Sequence, residues 1–132
     1  MVAMNQKEEE KLIIHYFRKH YPDFPKGRLI PSESPDFILK ISPHRSIGIE
    51  LTRLATEDDP VTAIRKAIEK KEEKLSLYTH MHLSGIWLII HADDALTDMV
   101  FKGKELEDFR LNTTFDQVFF MDLFSNRVIS VI

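Results

Sequence analysis

Cysteine is absent from this chain, which excludes disulfides, thiol catalysis and thiolate metal sites. That absence fits a reducing compartment, so a cytoplasmic protein is expected. Glycine is scarce: the four present are scattered, and no glycine-rich phosphate loop can be built from them. Long apolar runs are also missing from the opening "MVAMNQKEEEKLIIHYF", which is polar and acidic with only short apolar pairs. Neither a secretory signal nor a membrane span is expected there. An excess of one charge sign is likewise lacking. Lys and Arg number 18 against 21 Asp and Glu, a net charge of −3, so no global field draws the chain to nucleic acid or anionic lipid. Any polyanion contact has to be local. Serine and histidine occur without an elbow-like context, which leaves a hydrolytic triad unsupported.

What remains is a soluble globular composition, and 132 residues suffice for one core, so residues 1–132 are expected to form one domain. "NQKEEEKLIIHYFRKH" (5–20) predicts a helix stopped by Pro22, which disfavours helical geometry at Tyr21. "KGRLIP" gives a short first strand. Strands are predicted near 36–41 and 46–52, joined by a turn at Ser42–Pro43–His44–Arg45. "DDPVTAIRKAIEKKEEKLSLYTH" (58–80) predicts a helix through Tyr78, with Asp59 as N-cap and Pro60 at the first helical position. "GIWLIIH" (85–91) is nearly all apolar, as in a strand covered on both faces. Residues 96–109 read as helix or loop, and "QVFFMDL" with "RVISVI" as a C-terminal hairpin turning at Phe124–Ser125–Asn126. The order is an α/β fold with an α-β-β-β-α-β core, a mixed central sheet flanked by helices, and a C-terminal β hairpin.

The predicted hairpin "PDFILKISPHRSIGIELTRL" (35–54) carries a carboxylate in each apolar run, Asp36 and Glu50. With the turn centred on His44, Ile38 faces Glu50 and Asp36 faces Thr52. Asp36, Glu50 and Thr52 then share one face, while Phe37, Leu39, Ile41, Ile47, Ile49 and Leu51 share the other. The two acids become diagonal neighbours about 7–8 Å apart at Cα, near enough to share one ion. Gly48, on the same face, is expected to keep the space beside Glu50 open. A solvated hairpin face accounts for the acids equally well. Against it, "GIELT" is too apolar for an edge strand, and a central-strand glutamate is costly without a counter-charge.

The second predicted helix supplies such a charge. At about 100° per residue, Ile64, Ile68, Lys71, Leu75 and Tyr78 fall in one narrow stripe with Lys71 near its centre. A lysine on a buried face either snorkels to solvent or meets a carboxylate. On the first helix, Glu9 lies on the stripe of Leu12, Ile13, Tyr16 and His20, with Glu8 and Glu10 on its flanks. Two sheet carboxylates, an inward lysine and a further glutamate suit metal-assisted phosphodiester cleavage. Mg²⁺ takes hard oxygen ligands and keeps several waters, and a lysine can orient the attacking water or stabilise developing charge.

This pattern resembles the PD-(D/E)XK nuclease superfamily, the restriction-endonuclease-like fold, over about residues 5–91. Pro35-Asp36 corresponds to the "PD" element and Glu50-Leu51-Thr52 to "(D/E)XK". The resemblance implies a hydrolase that cleaves DNA or RNA with Mg²⁺ or Mn²⁺ bound by Asp36 and Glu50, and a first-helix glutamate that Glu9 fits best. Thr52 departs from it, standing where the catalytic lysine belongs, and Arg53 has the opposite parity. Some members carry the lysine on the following helix, and Lys71 fits that migrated group. The other outcome is a domain that binds or is structural and does not cleave. The implied partner is nucleic acid, DNA first, with no membrane; specificity in so short a chain would call for a homodimer or a protein partner.

Other groupings are read as structural. His80, His82 and His91, with Asp93 and Asp94, admit a zinc site, but they are expected as surface residues at a helix-to-strand connection. Phe115, Phe119, Phe120 and Phe124 are expected in the core. Lys26, Arg28, Arg45 and Arg53 border a phosphate cleft or simply face solvent.

Overall fold

The computed structural model describes residues 5–54, 59–92, 113–123 and 127–131. Helix α1 (Gln6–His20) starts at Asn5, whose side chain accepts from Glu8 N–H. Glu8 and Glu9 in its first turn and Arg18, Lys19 and His20 in its last complement the helix dipole. Helix α2 (Pro60–Glu72) starts as expected, with the Asp59 side chain accepting from Thr62 N–H and Pro60 opening the first turn.

The strands are β1 (Arg28–Pro31), β2 (Phe37–Ser42), β3 (Arg45–Arg53), β4 (Gly85–Ala92), β5 (Gln117–Asp122) and β6 (Arg127–Ser130). They form one six-stranded mixed sheet in sequence order. β1, β2 and β3 are antiparallel, β3, β4 and β5 parallel, and β5 and β6 antiparallel. The order differs from the expected core in two respects. A 3₁₀ helix (Leu75–Met81) stands between α2 and β4, and the last two strands extend the central sheet. The turn at 124–126 and the segment 96–109 lie outside the described residues, as do Asp93, Asp94 and Phe124.

Two apolar layers hold the helices on opposite faces. Ile13, Ile14 and Phe17 of α1 pack with Phe37, Leu39, Ile47, Ile49, Leu51, Trp87, Ile89 and Phe119. Ala63, Ile64, Ala67 and Ile68 of α2 pack with Leu88, Ile90, Val118 and Phe120. β4 is accordingly covered on both sides, as its composition predicts. Fully buried Phe17 and Phe119 each contribute roughly 1.5–3 kcal/mol by leaving water, and their rings meet edge to face at 5.1 Å. Phe115, Phe119 and Phe120 are core residues, as expected.

The predicted single helix 58–80 is two elements. Regular α geometry ends at Glu72 within the charged run "EKKEEK", and the next turns tighten, with Lys74 N–H bonding Lys71 O and Leu77 N–H bonding Lys74 O. At three residues per turn, Leu75, Tyr78 and Met81 eclipse one another. All three are wholly or partly buried, whereas Leu77 is 62% exposed. Among the described residues, no helix is long and apolar enough to cross a membrane.

Candidate functional site

The β2–β3 register places the two sheet acids. Phe37 pairs with Ile49 and Ile38 with Gly48, so the expected pairing of Ile38 with Glu50 and of Asp36 with Thr52 is not found. The cause is at the turn. Ser42 pairs with Arg45 around Pro43–His44, and the register shifts between Lys40 and Ser42. The displacement is even in parity, so the acids stay together. Continued one step beyond Phe37, the register sets Asp36 opposite Glu50 rather than diagonal to it. Ladder bonding gives way there to a side chain: Asp36 Oδ2 accepts from Leu51 N–H at 2.8 Å.

Glu50 is 1% exposed. Its Oε1 accepts from the Tyr78 hydroxyl at 2.7 Å, and its Oε2 lies 3.4 Å from Lys71 Nζ without a hydrogen bond. Lys71 faces inward from the last turn of α2, its side chain 14% exposed. Tyr78 is the participant that sequence reasoning missed. In the sequence it reads as an apolar stripe residue, but a buried tyrosine hydroxyl needs a partner, and that requirement is the available signal. Ser34 Oγ donates to the same hydroxyl at 3.3 Å. Burial, with Glu50 beside it, drives the Tyr78 pKa far upward, and the bond from Ser34 opposes the rise.

Both Glu9 and Glu10 reach the site from α1, and Glu10 is the buried one. Glu10 is 7% exposed, with Oε1 accepting from Gln6 Nε2 at 3.2 Å and Oε2 lying 3.6 Å from Lys7 Nζ without a hydrogen bond. Glu9 is half-buried and pairs at 2.8 Å with Arg53. The reason is the rotation of α1. Leu12, counted in the expected stripe, is 41% exposed, whereas Ile14 and Phe17 are buried. The apolar centre therefore lies toward Ile14 and carries Glu10 inward.

Asp36 registers these neighbours. Desolvation, then the charges of Glu50 and Glu10, push its pKa up from 3.8 to about 6, while the Leu51 N–H and Lys71 restrain the rise. A cavity of about 200 Å³ opens at the carboxyl ends of β3 and β4, where Glu9, Glu10, Thr52, Arg53, Lys71 and His91 line its wall. Thr52 is half-buried there and brings a hydroxyl without charge.

Two further expectations are corrected. The space beside Gly48 is filled: a Cβ there would lie 2.8 Å from Leu83 Cδ1 and 3.0 Å from Pro35 Cγ. His91 is buried in β4, not at the surface, because it continues the apolar alternation of a strand covered on both faces. His82 is exposed, and the His80 side chain lies outside the described residues. Among the described residues, no cluster of three or more His, Cys, Asp or Glu side chains suited to hold a metal ion is found. Asp36 and Glu50 remain the donors available to one ion, since a magnesium site commonly uses one or two carboxylates and completes its shell with water. Compared with known proteins, the chain matches no family model, no curated protein and no solved structure.

Proposed function

We propose that this protein is a metal-dependent nuclease of restriction-endonuclease-like fold, hydrolysing phosphodiester bonds of DNA or RNA. The observation that carries the reading is the convergence of Asp36, Glu50 and Lys71, of which Lys71 lines the open cavity, with Glu50 Oε2 buried behind it and lacking a hydrogen-bond donor. Asp36 and Glu50 would hold Mg²⁺ or Mn²⁺, which supplies Lewis acidity to the phosphate and a more acidic bound water. Lys71 offsets the Glu50 charge and presents an ammonium to the cavity, suited to stabilising charge that develops on a phosphoryl oxygen. In this role it replaces the lysine that Thr52 lacks. Glu10 adds a carboxylate beside Asp36 that can orient a water, the part expected of Glu9. The Arg53–Glu9 pair closes the rim.

Calorimetric Mn²⁺ titration of the wild type beside Asp36→Ala and Glu50→Ala tests the site without a known substrate. Binding lost in both variants, followed by oligonucleotide cleavage that Lys71→Met abolishes, is the expected result. Failure of the wild type to bind, or cleavage indifferent to Lys71→Met, refutes it.

A second reading has its own observation: both Glu50 oxygens already face partners, Tyr78 and Lys71. On that reading the group is a buried network in a non-catalytic binding or structural domain. It predicts no metal affinity and strong destabilisation by Glu50→Ala, which leaves Lys71 uncompensated. A folded protein that neither binds Mn²⁺ nor cleaves would fit it; a gain in stability on Glu50→Ala would not.

A further inference from the structure

A larger groove, about 470 Å³, lies on the other flank of α1, between that helix and the edge strand β1. It shares no lining residue with the acidic cavity. Lys11, His15, Arg18 and Lys19 line it, and no acidic residue does. Its floor is aliphatic, made by Ile14, Leu29 and Pro31 over the buried Phe37.

The charges of α1 are thus sorted by flank. Glu9 and Glu10 face the β3–β4 cavity, and the cations face the β1 groove. Lys7, Arg53 and Lys71 are paired with acids, whereas Lys11, Arg18 and Lys19 have no acidic partner among the described residues. The Arg18 guanidinium is also positioned in advance, its Cζ 5.3 Å from the centre of the Phe24 ring. From Lys11 to Lys19 the cations extend about 12 Å along the helix. In a chain of net charge −3, this is a concentrated local field of opposite sign.

We infer that this groove is a binding site for a small amphipathic anion, an aliphatic or aryl body ending in a phosphate or carboxylate. The volume falls within the roughly 300–1,000 Å³ of small-molecule sites, which combine an apolar lining with a few converging polar groups. The head group would meet Arg18 with Lys11 or Lys19, and the body would cover Leu29 and Pro31. The buried Phe37, 2% exposed, offers no ring for a base to stack on, and the exposed His15 imidazole is the one aromatic face in the lining. The inference is independent of whether the acidic site cleaves anything.

The test is amide-resolved NMR of the full chain at pH 7, titrated with octyl phosphate and with octanoate below their micelle concentrations. Inorganic phosphate and octyltrimethylammonium serve as controls. Shifts confined to residues 11–19 and 28–31 are expected, with the tighter of the two ligands identifying the head group. Lys11→Gln with Arg18→Gln should weaken binding about tenfold or more, a loss of about 1.4 kcal/mol or more, at unchanged melting temperature. Absence of localised shifts, equal shifts with octyltrimethylammonium, or unchanged affinity in the double variant overturns the inference. A single-stranded oligonucleotide that shifts the same residues at lower concentration than octyl phosphate also overturns it, and makes the groove a phosphodiester track.

Discussion

Asp36→Asn at high pH is the most informative single perturbation. Asparagine keeps the shape and the oxygen that accepts from Leu51 N–H, and removes only the ionisation. The folded pKa of Asp36 lies above its usual value, at about 6 against 3.8. Folding therefore favours the protonated carboxyl. Its stabilising contribution is full below about pH 3.8 and is lost as pH rises through about 6. At about 1.4 kcal/mol per tenfold, the full difference approaches 3 kcal/mol. Because Asp36 is only partly buried, solvent screening reduces this to about 1–2 kcal/mol. Asp36→Asn should thus stabilise the fold by about 1–2 kcal/mol at pH 8 and by about a third of that at pH 4.5. Urea unfolding of both proteins from pH 4.5 to 8 isolates this residue from the six histidines, which are common to both. A pH-independent difference, or destabilisation at pH 8, would refute the account of charge crowding at Asp36.

Three other outcomes follow from the same geometry. Lys71→Met leaves Glu50 buried without its counter-charge and should cost about 3–5 kcal/mol; Glu50→Gln added to it should recover much of that loss, which a double-mutant cycle by urea unfolding measures. Tyr78→Phe removes the donor to Glu50 Oε1 and should lower stability by about 1–3 kcal/mol in thermal unfolding; an unchanged melting temperature would mean the hydroxyl is dispensable. Gly48→Ala places a methyl against Leu83 and the Pro35 ring. Leu83 can swing away but the ring cannot, so about 1 kcal/mol of destabilisation is expected in chemical unfolding, where overpacking costs 1–3.

The parts of this molecule that the sequence makes legible are those set by periodicity. Alternation in 37–51 determines which residues face α1, and the apolar run 85–91 determines that β4 is central. The Asp59–Pro60 pair marks the start of α2 because capping chemistry is local. Register is different. An irregularity beside the 43–44 turn leaves the apolar pattern intact while moving every partner, so parity survived and pairing did not. The choice between Glu9 and Glu10 depends on the roll of α1, which is set by whether Leu12 or Ile14 is covered, a tertiary fact. The break after Glu72 depends on contacts too. Only the tighter turn presents Leu75, Tyr78 and Met81 together, and Tyr78 then reaches Glu50.

Charge pairing connects the site's stability to its proposed chemistry. Glu10 has Lys7, Glu50 has Lys71 and Glu9 has Arg53. Asp36 has a single backbone donor and stands beside two of those carboxylates, and it is the acid whose pKa climbs. The group is short of one positive charge, and its elevated pKa means that a proton fills that place below about pH 6. Under the nuclease reading a divalent cation competes for the same place, so its binding must expel that proton and weaken as pH falls through 6. Under the network reading the proton has no competitor, and Asp36→Asn completes the pairing. Mn²⁺ calorimetry at pH 6 in two buffers of different ionisation enthalpy separates the two cases. Release of about half a proton per ion, lost in Asp36→Asn, is the signature of a shared place, and buffer-independent heats exclude it.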